Sequence, residues 1–117
     1  KENQLSLLYV DLDDFKKVND AHGHHIGDGA LELVARLMRE AFPGDFIVRL
    51  GGDEFLICLV GERSLAFLEE KANRLLQSLL GAFQASDYLR VMSASIGIAV
   101  ECGPGNEAWT TWYGRAT

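Results

Sequence analysis

The chain predicts an α+β fold in which helices cover a largely antiparallel sheet. Three observations carry that reading. Short apolar runs at Leu5–Val10, Phe46–Val48 and Phe55–Val60 have the length and composition of strands. Two longer stretches repeat apolar residues at helical spacing. The order is strand, two helices, hairpin, helix, strand, which places helices against one sheet rather than alternating them along parallel strands.

Each element has a local reason. Leu5-Ser6-Leu7-Leu8-Tyr9-Val10 is apolar and halted by acids, as for a strand buried on both faces. Asp13 or Asp14 suits the cap of a short helix with Phe15 and Val18 on one side. Gly23 and Gly27 bracket a polar turn. Leu31, Val34, Ala35, Met38 and Phe42 then recur at helical spacing until Pro43-Gly44 stops the helix. Gly51-Gly52 between the next two strands has the composition of a tight hairpin turn with positive φ. Leu65, Leu68, Ala72, Leu75, Leu76, Leu79 and Phe83 mark a long amphipathic helix. Leu89–Val100 reads as the last strand and Gly103-Pro104-Gly105 as a loop. Trp109, Trp112 and Tyr113 read as packing residues or as partly exposed ones.

Composition narrows the function. With 117 residues, 48% of them hydrophobic, the chain supports one domain with one core. No stretch long enough to span a membrane lacks charges. A net charge of −6 supplies no cation surplus to displace counterions, so nucleic acid is not an expected partner. A polyphosphate held through a divalent metal remains compatible with that charge. Two cysteines, Cys58 and Cys102, do not make a disulfide scaffold, and Lys1-Glu2-Asn3-Gln4 does not open a signal peptide. A reducing, cytoplasmic setting follows as the expectation. Both ends read as cut, which makes the chain a piece of a longer domain.

Acids cluster where strands stop. Asp11, Asp13 and Asp14 follow the first strand, and Asp53-Glu54 lies in the hairpin turn. Taken one by one, such acids are ordinary solvated turn residues. If the two strands are neighbours, three or four carboxylates meet at one edge and repel unless a cation sits among them. All-oxygen ligands select Mg²⁺ or Mn²⁺. The helix start at Asp13–Lys17 offers free amides, a cradle for phosphate. Phe15 reads as core, and Lys16 and Lys17 as a solvated face within reach of a phosphate. His22, His24 and His25 crowd one turn without the spacing of zinc ligands, so they read as a polar turn. Cys58 reads as a small core residue.

Gly51-Gly52-Asp53-Glu54-Phe55 resembles the signature of the GGDEF family of diguanylate cyclase domains. The remaining pattern is present in order: Asp11-Leu12-Asp13-Asp14-Phe15-Lys16-Lys17-Val18-Asn19-Asp20, Gly23-His24, Gly27-Asp28, Arg49, and Ser95-Ile96-Gly97-Ile98-Ala99. The resemblance implies a nucleotidyl-cyclase, polymerase-palm type of fold, ferredoxin-like, and a single domain over 1–117. That domain would lack the family's N-terminal segment and its C-terminal helix and strand, with Ala116 as a possible start of the helix. It implies Mg²⁺-dependent condensation of two GTP into cyclic di-GMP with release of pyrophosphate, by a homodimer whose halves each hold one GTP. The alternative is a non-catalytic GTP-binding module that controls an attached domain. By the same resemblance, Asp11, the Leu12 carbonyl, Asp53 and Glu54 form the metal shell, with Asp53 and Glu54 catalytic. Asn19 and Asp28 read guanine, the amides of Asp14, Phe15 and Lys16 hold the triphosphate, and Gly52 lets substrate approach. His22 stands where the family usually has an aromatic residue. Phe42-Pro43-Gly44-Asp45 matches the family's Arg-x-x-Asp product site with Phe42 in place of the arginine, so weak product inhibition is expected. Arg39, one helical turn earlier, shares that helix face, but Pro43 fixes the helix end and aims it from a different place, so rescue by Arg39 is not the expected outcome.

Overall fold

A computed structural model describes the backbone of residues 5–61, 64–101 and 109–115, and side chains through residue 100. In chain order the elements are β1 (Leu5–Asp13), α1 (Phe15–His22), α2 (His24–Ala41), β2 (Phe46–Gly51), β3 (Glu54–Val60), α3 (Leu65–Gln84), β4 (Ser93–Glu101) and β5 (Trp109–Arg115). The strands form one antiparallel sheet in the order β2-β3-β1-β4-β5. This is the expected α+β layer, with β1 and β3 side by side.

The core lies between the helices and one face of the sheet. Leu8, Val10 and Leu12 of β1 are buried with Phe55, Ile57 and Leu59 of β3 and Ala94, Ile96 and Ile98 of β4. Val34 and Met38 of α2 and Leu68, Leu75, Leu79 and Phe83 of α3 pack against them. Truncating one of these fully buried leucines to alanine costs about 2–5 kcal/mol through lost transfer energy and a cavity.

Several elements differ from the sequence reading. Strand β1 is buried on one face only, its odd-numbered residues half-buried on the other. It also runs on through Asp11 and Asp13, so these acids lie within the strand. They are accommodated because they fall on that more open face. Helix α2 begins at His24, so Gly27 is not at the end of a polar turn but within the helix, its N–H bonded to the Gly23 carbonyl. Gly23, at φ 90°, alone makes the break between α1 and α2. The hairpin turn forms at Gly52-Asp53, yet neither Gly51 nor Gly52 has positive φ. A bulge between Arg49 and Gly51 does the bending instead. Residues 86–91 form turns, so β4 starts at Ser93 rather than Leu89, while Leu89 and Met92 are buried in the core. Strand β5 is an addition: the sequence reading has only aromatic packing residues there, and their side chains lie outside the described residues. Lys1 to Gln4, Cys102, the Gly103–Gly105 loop and the Ala116 helix start lie outside them too.

Helix caps follow local chemistry. The Ser64 hydroxyl accepts from the Phe67 amide at 3.1 Å, the usual N-cap bond. Asp14 occupies the N-cap of α1 without such a bond and adopts φ 66°, a left-handed conformation that aspartate tolerates better than most residues. Phe42 ends α2 fully buried, and the Lys71 ammonium from α3 lies 4.8 Å from its ring centre and donates to the Ala41 carbonyl.

Candidate active site

Antiparallel pairing creates the acid cluster. Asp11 on β1 is the direct partner of Glu54 on β3, and Asp53 sits in the turn immediately before it. Carboxylate oxygens of all three lie within 4.8 Å of one another, and each residue is half-buried. The turn is tied to β1 by the Leu12 amide, which donates to the Asp53 carbonyl at 3.0 Å. Leu12 itself is anchored in the core, so its backbone is fixed beside the three acids. Arg49 holds the turn from the other side, donating from Nε to the Gly51 carbonyl at 3.1 Å and from a terminal nitrogen to the Gly52 carbonyl at 3.0 Å.

The electrostatics are those of crowded anions. Burial raises the Asp11 carboxyl above its ordinary range, and Asp53, Asp13 and Glu54 raise it further. The Tyr9 phenol is pushed up to about 12, first by its hydrogen bond to Glu54 and then by burial and the neighbouring acids. Three hard oxygen donors this close fit a divalent magnesium- or manganese-type ion, which would relieve the repulsion.

The structure separates Asp13 from this group. Its carboxylate accepts from the Ser93 hydroxyl at 3.1 Å and the Ser95 hydroxyl at 3.0 Å, both on β4. Three carboxylates converge, and the fourth ties β1 to β4. Asp14 is exposed, with its carboxylate 3.6 Å from the Lys17 ammonium. The Phe15 side chain is buried as expected, so only its amide is available to a ligand. Lys16 is exposed and paired with Asp20 at 3.0 Å. The amides of Phe15 and Lys16 open α1 ahead of its first hydrogen bond, which Lys17 makes back to Asp14 at 3.1 Å.

The other expected contacts sort cleanly. Asn19 is half-buried against Gly27, its Oδ1 sealed from solvent without a hydrogen-bond partner. Asp28 is exposed and follows Gly27 directly, so the two expected guanine readers share one junction between α1 and α2. A side chain at Gly52 would meet nothing within 4 Å, which leaves open space over the turn. His22 packs edge-on to Tyr88 at 5.0 Å, and among the described residues no histidine joins a metal-type cluster. Phe42 is buried, so it offers no ring to a ligand in place of the arginine. Asp45 is half-buried and Arg39 exposed.

Sequence reasoning missed three contributors: Tyr9, the Ser93–Ser95 pair and Gly27. Period-two spacing places Tyr9 on the face of Asp11, and Ser-x-Ser likewise places both hydroxyls on one face. Only the three-dimensional approach of α1 to α2 exposes the role of Gly27.

The chain is similar in sequence and fold to known proteins. The family model for the diguanylate cyclase GGDEF domain matches residues 1–117. The bifunctional diguanylate cyclase/cyclic di-GMP phosphodiesterase MucR of Pseudomonas aeruginosa is 41% identical over 105 residues, covering 89% of this chain and 15% of that protein. The cyclic di-GMP phosphodiesterase PdeR of Escherichia coli is 38% identical over 107 residues, covering 91% of this chain and 16% of that protein. The chain therefore spans about a sixth of these relatives. The GGDEF domain of DgcB from Caulobacter crescentus, solved in complex with c-di-GMP, superposes with a TM-score of 0.74 at 27% identity, covering 89% of this chain and 63% of that one. Among the described residues no helix is long and apolar enough to cross a membrane.

Proposed function

The chain belongs to the GGDEF family, and from that premise we propose that it is a diguanylate cyclase domain. It joins two GTP molecules into cyclic di-GMP and releases two pyrophosphates. In each half-reaction the 3′-hydroxyl of one GTP attacks the α-phosphorus of the other, and the P–O bond to pyrophosphate breaks. Each domain holds one GTP, so the working unit is a homodimer, placed in the cytoplasm where GTP is supplied. The observation that carries this reading is the convergence of Asp11, Asp53 and Glu54 beside the Gly51–Phe55 turn.

The residues take the following roles. Asp11, Asp53, Glu54 and the Leu12 carbonyl would hold Mg²⁺ or Mn²⁺. Such an ion lowers the pKa of a bound hydroxyl and stabilises charge on the phosphates. Tyr9 donates to Glu54 and holds that carboxylate in place. The amides of Asp14, Phe15 and Lys16 orient the triphosphate at the start of α1, and open space above Gly52 admits it. With Oδ1 of Asn19 sealed inward, its Nδ2 is the end left to donate to the acceptors of guanine. Asp28 accepts from N1–H and N2–H of the base. Holding the two reacting groups in line supplies much of the acceleration.

The test is incubation with GTP and Mg²⁺, with cyclic di-GMP read by mass spectrometry at several protein concentrations. The expected rate rises more steeply than protein concentration, because two loaded domains must meet, and Glu54→Gln makes no product. A second reading, a GTP-binding module that regulates an attached domain, draws support from the match to PdeR, a phosphodiesterase by name. GTP binding without product formation at any concentration would favour it.

A further inference from the structure

Glycine within a helix is disfavoured relative to alanine, so each one calls for a reason. Helix α2 carries two that differ sharply. A Cβ on Gly29 would meet nothing within 4 Å. A Cβ on Gly27 would overlap Oδ1 of Asn19 and lie 2.8 Å from its Cγ. The helical backbone does not call for glycine here, since Gly27 has no positive φ. What it does is leave a hollow, and the Asn19 side chain from α1 fills that hollow with its carbonyl end. That end is sealed from solvent without a hydrogen-bond donor. The hollow fixes where the amide sits, and the carbonyl end enters it because one small oxygen leaves less unpaired polar surface buried than an NH₂ group with two donors would.

We propose that Gly27 is a specificity-determining positioning residue: its missing side chain seats Asn19 carbonyl-inward and thereby presents the amide NH₂ to the guanine base. This rests on the reading of Asn19 as a guanine contact. Guanine offers two adjacent acceptors, O6 and N7, to such a donor. Adenine has an amino group in place of O6, so a correctly seated Asn19 favours guanine and contributes nothing comparable to adenine. Filling the hollow pushes the amide out of place and weakens its hydrogen bond to the base, a contact worth a factor of about two to ten in affinity.

The experiment is calorimetric titration of GTP and of ATP, each with Mg²⁺, into the wild-type chain and four variants. Gly27→Ala is expected to weaken GTP binding by about two- to tenfold and to leave ATP binding unchanged. Gly29→Ala, in the same helix, is expected to bind GTP as the wild type does. Asn19→Ala should lose as much GTP affinity as Gly27→Ala, and the double variant Asn19→Ala/Gly27→Ala no more than Asn19→Ala alone. Wild-type GTP binding by Gly27→Ala beside weakened binding by Asn19→Ala overturns the seat alone. Equal losses for GTP and ATP in Gly27→Ala also overturn it. Wild-type GTP binding by Asn19→Ala overturns the guanine reading beneath it. If Gly27→Ala does not fold by circular dichroism, the double variant, which removes the overlap, must fold; its failure to do so overturns the proposal.

Discussion

Replacing Asp53 by asparagine should stabilise the metal-free protein while removing its response to magnesium. Carboxylate oxygens of Asp53, Asp11 and Glu54 lie within 4.8 Å of one another. Two unit charges at that separation repel by about 0.9 kcal/mol in water and about 3.5 kcal/mol at an effective dielectric of about 20. The three residues are half-buried, so the lower end is the safer figure. Asp53 faces two such neighbours, and neutralising it relieves about 2 kcal/mol. For a domain of this size that corresponds to a rise in Tm of roughly 5–10 °C in chelator. The substitution keeps the backbone bond from Leu12 to the Asp53 carbonyl, so the fold has no compensating loss. Saturating magnesium should reverse the order, since a ligand at about a hundred times its Kd adds about 2.7 kcal/mol to the wild type alone. Thermal unfolding in chelator and in magnesium measures both arms, and product formation by the variant should be abolished. A variant no more stable than wild type in chelator, or one stabilised equally by magnesium, would refute the reasoning.

Three other outcomes follow from the site and its surroundings. Because the folded protein holds the Asp11 proton to higher pH than the unfolded chain does, the metal-free wild type should lose stability relative to Asp11→Asn as pH rises from about 3.8 through the raised folded value. Urea midpoints of the two proteins across that range test it; a difference that stays constant, or that moves in favour of the wild type as pH rises, would count against the cluster. Asp28→Ala should reduce the preference for GTP over ATP by one to two decades, the cost of losing an acceptor worth about 1–3 kcal/mol, and unchanged preference in competition binding removes Asp28 from the site. Phe42→Arg should lower stability by at least about 3 kcal/mol, since it replaces a fully buried ring with a charge. It should gain no affinity for cyclic di-GMP by calorimetry, and tight product binding by the unmodified chain that depends on Asp45 would show the site to be intact.

The strands flanking the acids were legible because their apolar runs and the Gly-Gly turn are local signals. That Asp11 and Asp13 lie within β1 was not, since aspartate is depleted in strands; only pairing with β3 and β4 places them on a face with room for charge. The start of α2 was hidden for a similar reason. His24, His25, Gly27 and Gly29 are poor helix formers, and the helix is held there by packing against α1 and the core. Leu89 and Met92 read as strand because they are apolar, yet they reach the core from a turn. Trp109-Thr110-Thr111-Trp112-Tyr113 has strong strand propensity, but without a partner to pair with, its aromatics read equally well as packing. In the candidate site, the three converging acids were foreseeable from motif and order. What holds Asp13 apart from them was not, because it depends on Ser93 and Ser95 of β4 donating to its carboxylate.

The bond from the Leu12 amide to the Asp53 carbonyl extends the pairing of β1 and β3 one step past Asp11 and Glu54, into the turn. A hierarchy of opening events results. The amides of Leu8 and Val10, deep in the central ladder, exchange with solvent only when the whole domain unfolds. The Leu12 amide is released when the turn alone lifts from β1, an opening that breaks its own bond to Asp53 and strains only the neighbouring pairing of Asp11 with Glu54. Deuterium uptake at that single amide is thus a clock for the hairpin that carries Asp53 and Glu54, separable from the stability of the core that supports it.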